Sequence, residues 1–147
     1  MTGPAPDLNT YVTQMLPESV RNMLTSGTVM TKYHQNGGSK KRTVRVALDW
    51  QTLVWSDPKP ANKDDDDTRT MPFRFVKLIT AGACTPALLK KPWLGKAATP
   101  DCSFAVFDTR APNWSLSLEA TTQKEAQDWV HGLQLLRDAY LNFNVGL

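Results

Sequence analysis

The sequence predicts a mainly β fold that is closed by one C-terminal α-helix and preceded by a short amphipathic helix. Three observations support this prediction. Residues 28–120 read as about seven short strands separated by turns, residues 122–143 carry a helix start signal and an apolar stripe, and residues 8–16 repeat apolar side chains at helical spacing. A long helix with one apolar face needs a surface to cover, so we expect it to plug a small barrel or sandwich.

Length and composition fit one globular domain. The chain has 147 residues, of which 41% are hydrophobic and 21% charged, enough for a core without metal or disulfide support. No apolar run approaches the roughly 20 residues that span a bilayer, and no signal-type segment follows Met1, so we expect a cytoplasmic protein. Cys84 and Cys102 are expected to be reduced thiols, and with only two histidines no zinc site or other cofactor is predicted.

The N-terminal region is predicted to be a lead followed by a helix over residues 8–16, with Asp7 as N-cap and Pro17 as its stop. Residues 18–24 are expected to add another turn or two. The polar face of the first helix lacks Lys and Arg, which favours packing on the barrel over insertion into a membrane. We therefore divide the chain into an N-terminal segment, residues 1–25, and a β domain, residues 26–147.

The strands follow in order. Residues 28–34 and 42–48 form a hairpin around the Asn- and Gly-rich turn at residues 35–39, with Val44, Val46 and Leu48 expected on one face. After a turn at residues 49–51 comes a strand at residues 52–56. Further strands are predicted at residues 71–81 (one long or two short), 102–107 and 114–120, separated by loops at residues 57–70 and 85–100.

The loop at residues 57–70 contains four consecutive aspartates, Asp64 to Asp67. Calcium binding is the more specific interpretation of such a run. The four aspartates, however, lack the alternating ligand positions and central Gly of a calcium loop. A solvated loop is favoured.

The C-terminal helix is predicted to begin at Gln123, because Thr122 and Glu125 form a capping box. Its apolar residues recur at steps of three and four: Ala126, Trp129, Val130, Leu133, Leu136, Tyr140 and Phe143. Charged and amide side chains take the other face, as expected of a helix that covers a core.

Positive charge is concentrated in the first hairpin. No acidic residue occurs between Glu18 and Asp49, whereas five cations lie on or beside the two hairpin strands: Lys32, Lys40, Lys41, Arg42 and Arg45. Such a field favours an anionic partner. The alternative is that these side chains are solvated and only blunt aggregation at the hairpin.

Seven short strands, a basic first hairpin and a final helix with Trp129 in its buried stripe resemble the pleckstrin homology domain, over about residues 26–142. The resemblance implies two nearly orthogonal antiparallel sheets with the helix closing one end of the barrel. It also implies a phosphoinositide head group bound by Lys32, near the end of the first strand, and by Lys40 and Arg42 entering the second, with Lys41 between them. A slide in the alignment would give the second role to Arg45.

Two features refine this resemblance. Lys59 and Lys63 stand beside the four aspartates in the loop where some phosphoinositide binders bring another Lys, which weakens the prediction of a multiply phosphorylated ligand. The plan of a short amphipathic helix followed by one such domain is similar to the acylated pleckstrin homology proteins of apicomplexan parasites. That similarity implies phosphatidic acid sensing at secretory organelles, although the acylation motif itself is absent from residues 1–6.

A second membrane contact is predicted from Lys90, Lys91, Trp93 and Lys96, with contributions from Arg74 and Lys77. Packing of Trp93 onto the barrel is the alternative. No catalytic motif is recognised, so an enzyme is not expected.

The predicted function is peripheral binding of anionic phospholipid, phosphatidic acid favoured, by a monomer at the cytoplasmic side of a membrane. The alternatives are a phosphoinositide-binding domain and a module that binds a peptide or protein beside the helix. No nucleic-acid partner is predicted, because aromatic residues are not interleaved with the hairpin cations.

Overall fold

The computed structural model describes residues 8–58, 68–89 and 97–144, with the backbone alone at residues 143 and 144. Its helices and strands, in chain order, are α1 (Leu8–Met15), α2 (Glu18–Ser26), β1 (Thr28–Tyr33), β2 (Ser39–Val46), β3 (Thr52–Ser56), β4 (Arg69–Pro72), β5 (Val76–Ala81), α3 (Pro86–Leu89), β6 (Ser103–Asp108), β7 (Ser115–Glu119) and α4 (Gln123–Asn144). Within these residues, none of the helices has the length and hydropathy needed to cross a bilayer.

All seven strands join one antiparallel sheet in the order β4-β3-β2-β1-β7-β6-β5. β1 pairs with β2 along its whole length, from Thr28 opposite Val44 to Tyr33 opposite Ser39. It pairs with β7 only from Thr31 onward. The sheet therefore opens between β1 and β7 at the Thr28 end of β1, and the predicted mainly β architecture with a closing helix is confirmed.

Helix α4 closes that open end. Trp129 is fully buried, and its indole Nε1–H donates to Thr28 Oγ1 at 3.0 Å. The helix begins as predicted: Thr122 Oγ1 accepts the Glu125 N–H at 3.1 Å. The Glu125 carboxylate reaches back one residue further than expected and accepts the Thr121 N–H at 3.1 Å. These contacts fix the start of α4 against the barrel.

Both N-terminal helices pack on the same core. Val12 and Leu16 are buried, and the Trp50 indole donates to Asn9 Oδ1 at 2.9 Å, so the prediction that this region packs on the barrel is confirmed. The expected extra turns form all of α2. Gly27 then turns the chain into β1 with φ +97°, and a Cβ there would lie 2.8 Å from Thr43 Cγ2. The boundary at residue 26 stays a prediction.

The predicted end of the second strand was wrong. β2 ends at Val46, so Leu48, which was expected on the same strand face as Val44 and Val46, is 82% exposed in the following turn. Trp50 points inward instead, from a backbone with φ 63°. Residues 71–81 were predicted to form one long strand or two short ones, and the second alternative is confirmed: a 3₁₀ turn at Phe73–Phe75 separates β4 from β5, with β4 beginning at Arg69. The turn places β4 and β5 at opposite edges of the sheet.

The predicted loop at residues 85–100 contains the short helix α3. Leu88 in this helix and Ala98 after it are buried against Ala105 of β6, in a second small cluster outside the main core. Apolar periodicity could not indicate this turn because it has only four residues.

Candidate functional site: the cationic rim of the barrel

The register of the β1–β2 hairpin divides its five cations between two faces. Lys32 stands opposite Lys40, and Arg42 stands opposite Met30. Directly paired residues share a face of the sheet, and Met30 is buried, so these three cations lie on the inward face. Lys41, opposite Thr31, and Arg45, opposite Val54, lie on the outward face.

The inward cations occupy the end of the barrel that α4 does not plug. On β1, Lys32 follows the buried Met30 and lies four residues from Thr28, the contact of Trp129. On β2, Arg42 and Lys40 precede the buried Val44. Each strand therefore changes from apolar to cationic where it leaves the core. We call Lys32, Lys40 and Arg42 the inner cations.

Two stacked indole rings form the floor of a cavity beside the inner cations. The rings of Trp55 on β3 and Trp114 before β7 lie 6.3 Å apart between centroids, at an interplanar angle of 24°. Lys32 Nζ lies 5.9 Å from the centroid of the Trp114 ring, within reach of a cation–π attraction. The cavity has a volume of about 550 Å³ and is lined by Lys32, Trp55, Thr68, Arg69, Thr70, Asp108 and Trp114. We call it the rim cavity.

Arg69 is a cation of the site that the sequence did not indicate. It begins β4 opposite Trp55 and adds a cation to the rim cavity. The sequence placed it in the polar loop at residues 57–70, where nothing marked it as different from neighbouring charges. The sequence would have indicated Arg69 only if the strand predicted at residues 71–81 had been extended back to residue 69.

The carboxylate of Asp108 borders the rim cavity. Asp108 is 6% exposed. The Arg110 guanidinium donates two hydrogen bonds to its carboxylate, from Nη2 to Oδ2 at 2.7 Å and from Nε to Oδ1 at 3.0 Å. These hydrogen bonds lower the pKa of Asp108 below its usual value, against the opposing effect of burial. Arg110 also lies 4.0 Å over the Phe75 ring. The carboxylate is thus held charged, with a fixed counter-ion.

His34 lies among the inner cations at the start of the hairpin turn. The turn is closed by His34 N–H donating to Gly38 O at 2.8 Å, with Gly37 at φ 95°. Lys32 Nζ lies 3.4 Å from His34 Nδ1. Burial lowers the pKa of His34, and the positive charges of Lys32, Lys40 and Arg42 lower it further. Its Nε2 is buried and has no partner among the described residues.

The predicted second membrane contact is only partly within the structure. Lys90, Lys91, Trp93 and Lys96 lie outside the described residues. Arg74 is exposed and stacks 4.7 Å over Phe75, while Lys77 is exposed on β5. Neither of them lines the rim cavity.

A separate groove lies between α4 and the end of β5. Its volume is about 400 Å³, and it is lined by Ala81, Gly82, Pro100, Asp101, Ser103, Gln123, Ala126, Gln127, Val130, His131 and Gln134. β5 is an edge strand, but two of its carbonyl groups are already bonded to α4. Arg137 Nε donates to Val76 O at 3.1 Å, and Gln134 Nε2 donates to Ile79 O at 3.4 Å.

Metal binding finds no support in the part of the chain that the structure describes, where no three His, Cys, Asp or Glu side chains gather. The Asp64–Asp67 run, the candidate calcium loop, lies outside those residues.

Comparison with known proteins gives a consistent assignment of the fold. A sequence model described as the pleckstrin homology domain matches residues 18–138. No curated protein matches the sequence significantly.

Several solved structures are similar. Inner Membrane Complex Sub-compartment Protein 1 from Toxoplasma gondii superposes with a TM-score of 0.63 at 14% identity, covering 93% of this chain and 99% of that one. The PH domain from PfAPH gives 0.58 at 14% identity, covering 91% and 94%. S. officinalis PLC21 gives 0.65 at 17% identity over 88% of this chain, which spans only 17% of PLC21. At these identities the similarity shows the fold.

Proposed function

The chain belongs to the pleckstrin homology family, whose members bind membrane lipids or proteins and are in general not enzymes; on that premise, we propose that it binds anionic phospholipid at the rim cavity, with phosphatidic acid favoured. In this proposal the protein binds without catalysis and is held peripherally at the cytoplasmic face of a membrane, such as that of a secretory organelle. The supporting observation is that the three inner cations share one face of the hairpin, where Lys32 lines the rim cavity together with Arg69 and two indoles.

The chemistry of these side chains suits a phosphate. Lys32 and Lys40 carry compact charges that can each meet one phosphate oxygen, while Arg42 can donate two parallel hydrogen bonds. Charge-assisted hydrogen bonds of this kind contribute roughly 1.5–3 kcal/mol each. A head group that used two or three of them would bind far more firmly than one attracted only by surface charge.

Phosphatidic acid is favoured over a multiply phosphorylated inositol because carboxylates near the inner cations leave little room for further negatively charged phosphate groups. Asp108 lines the rim cavity, and Asp57 follows the last residue of β3 at the same end of the sheet as Arg42. A single phosphomonoester can stand over the inner cations and remain clear of the Asp108 side. Phosphoinositide binding is the alternative within the same site.

Vesicle sedimentation tests the lipid preference. Phosphatidylcholine vesicles would carry equal fractions of phosphatidic acid, phosphatidylserine or a phosphoinositide bisphosphate, and the strongest pelleting is expected with phosphatidic acid. Equal pelleting with all three would overturn selectivity, and strongest pelleting with the bisphosphate would favour the alternative. No pelleting with any of them would overturn lipid binding.

Chemical-shift mapping with soluble short-chain phosphatidic acid tests the location. The largest perturbations are expected at Lys32, Lys40, Arg42 and Arg69. The outward-facing Lys41 and Arg45 serve as controls on the same hairpin. Perturbations confined to those two residues would overturn the rim cavity as the site.

The groove beside α4 supports a second candidate function, binding of a peptide. Because Arg137 and Gln134 occupy the Val76 and Ile79 carbonyl groups, a peptide could not pair along that part of β5 and would have to enter at Ala81 and Gly82. Such binding should survive the double charge reversal Lys40→Glu with Arg42→Glu. Lipid binding should not.

A further inference from the structure

His34 has a buried ring nitrogen that the rest of the site does not account for. Nε2 is inaccessible to solvent and accepts from or donates to none of the described residues. Buried polar atoms are almost always hydrogen-bonded, and one without a partner destabilises the folded protein. A residue that keeps such an atom beside a binding site is a candidate for a role in that site.

The contact with Lys32 determines where the proton of the neutral ring resides. An ammonium group can only donate, so at the 3.4 Å Lys32–His34 contact Nδ1 must be the acceptor. The proton of the neutral imidazole is then on Nε2, the buried atom. Protonation would place a second proton on Nδ1, end the bond from Lys32, and add a positive charge among the inner cations.

The charged groups around the ring all oppose that protonation. Lys32 faces it from β1, and Lys40 and Arg42 face it from β2. The turn between β6 and β7 contributes the Asn113 carbonyl oxygen, which accepts from Gln35, the residue after His34. The charges of that turn, Asp108 and Arg110, are paired with each other.

We infer that His34 is a positioning residue of the rim cavity, which holds Lys32 while neutral, and that binding of a phosphate group to the inner cations is accompanied by protonation of His34. This inference rests on the proposed function. A bound phosphate offsets the charges of Lys32, Lys40 and Arg42, so it removes the repulsion that keeps the ring neutral. Linkage is reciprocal, and acidification must therefore tighten phosphate binding.

Vesicles that contain phosphatidylglycerol provide the test, since a phosphodiester keeps its charge over the pH range in which histidine titrates. If the lipid raises the pKa of His34 by about one unit, affinity should rise as pH falls below about 7.5 and should approach a tenfold gain once the pH lies below the pKa of the lipid-free protein. In His34→Asn, a permanently neutral amide oxygen replaces Nδ1 as acceptor for Lys32. The variant should bind with no more than a weak dependence on pH.

A spectroscopic measurement keeps the test independent of how the variant folds. The two histidine rings, His34 and His131, can be titrated by NMR in the wild-type protein with and without short-chain phosphatidylglycerol. The His34 curve should move to higher pH with lipid. The curve of His131, on the exposed face of α4, should not respond.

The outcomes separate the two levels of the proposal. Identical pH profiles for wild type and His34→Asn, or a His34 curve that ignores the lipid, would overturn the coupling and leave lipid binding intact. Absence of binding by folded wild-type protein at every pH, to vesicles with phosphatidic acid as well as to those with phosphatidylglycerol, would overturn the proposed function, and the coupling with it.

Discussion

The two faces of the β1–β2 hairpin carry three and two cations on the same two strands, yet their surroundings differ. The inward face carries Lys32, Lys40 and Arg42, of which Lys32 lines the rim cavity beside two indoles. On the outward face Lys41 donates to Thr31 Oγ1 at 2.9 Å, and Arg45 stands opposite Val54. Since side chains alternate along a strand, register rather than charge count decides which cations can surround one phosphate.

The sharpest test of that contrast removes two cations from one face at a time. Lys32→Ala with Arg42→Ala should weaken binding to phosphatidic acid vesicles by roughly a hundredfold or more, because two charge-assisted hydrogen bonds are lost. Lys41→Ala with Arg45→Ala removes the same charge but only general attraction to the surface, about 1 kcal/mol per residue or less. Sedimentation across a lipid titration measures both affinities.

Salt separates the two kinds of loss. The loss of vesicle affinity in the Lys41→Ala, Arg45→Ala variant should shrink as ionic strength rises, because screening shortens the range of surface attraction. The loss of affinity in the Lys32→Ala, Arg42→Ala variant should persist. Equal losses that fade together would mean that the hairpin acts only as a basic surface.

Much of the fold was predictable from the sequence because its signals are local. The capping residues Thr122 and Glu125, the stripe around Trp129 and the turn at residues 35–39 each lie within a few residues, and the structure has all three. The turn after β2 was harder. Trp50 and Leu48 are both apolar, and only the positive φ at Trp50 sends the indole inward and leaves the leucine outside.

The site was predictable only in part because it is assembled from distant residues. The cations of the hairpin were found by composition, and the period of two along β2 separates Lys40 and Arg42 from Lys41 and Arg45. Nothing local links Arg69 or Trp114 to Lys32. They meet it through the pairing of β4 with β3 and of β7 with β1, which the sequence does not specify.

Arg69 and Arg74 offer a second comparison, between an arginine inside the rim cavity and one outside it. Arg69→Ala should weaken binding of phosphatidic acid vesicles about tenfold, the loss of one charge-assisted contact. Arg74→Ala, which removes an exposed arginine stacked on Phe75, should change affinity less than threefold. If Arg74→Ala had the larger effect, the binding surface would lie on the β5 side of the barrel.

The aromatic floor should matter less than the cations. Trp114→Phe keeps a ring beneath Lys32 but weakens the cation–π attraction, which is about 0.5–1 kcal/mol at an exposed site. We expect roughly threefold weaker binding of phosphatidic acid vesicles, with the fold retained because Trp114 is only half buried. Circular dichroism checks the fold. An unchanged affinity would show that Lys32 needs no support from the indole.

The smallest expected change in affinity tests whether a negative charge at the rim cavity matters, or only the net charge of the protein. Asp108→Asn removes the carboxylate at the rim cavity and releases Arg110, so phosphatidic acid vesicles should bind about two- to threefold more tightly at neutral pH, a change below 1 kcal/mol. Asp128→Asn is the matched control, because it removes the same charge from the Lys124 pair on α4. An equal gain in both variants would attribute the effect to net charge alone.

The same substitution has a consequence for stability that can be read from the direction of the Asp108 pKa. Hydrogen bonds from Arg110 lower that pKa in the folded protein, so the unfolded chain binds its proton more readily. The resulting stabilisation is complete above the unfolded value of about 3.9 and is lost as pH falls through the folded value. Thermal melts on acidification below about pH 4 should therefore show a steeper loss of stability in the wild type than in Asp108→Asn. Parallel curves would mean that the ion pair with Arg110 does not stabilise the fold, and that its role at the rim is to hold a negative charge in place.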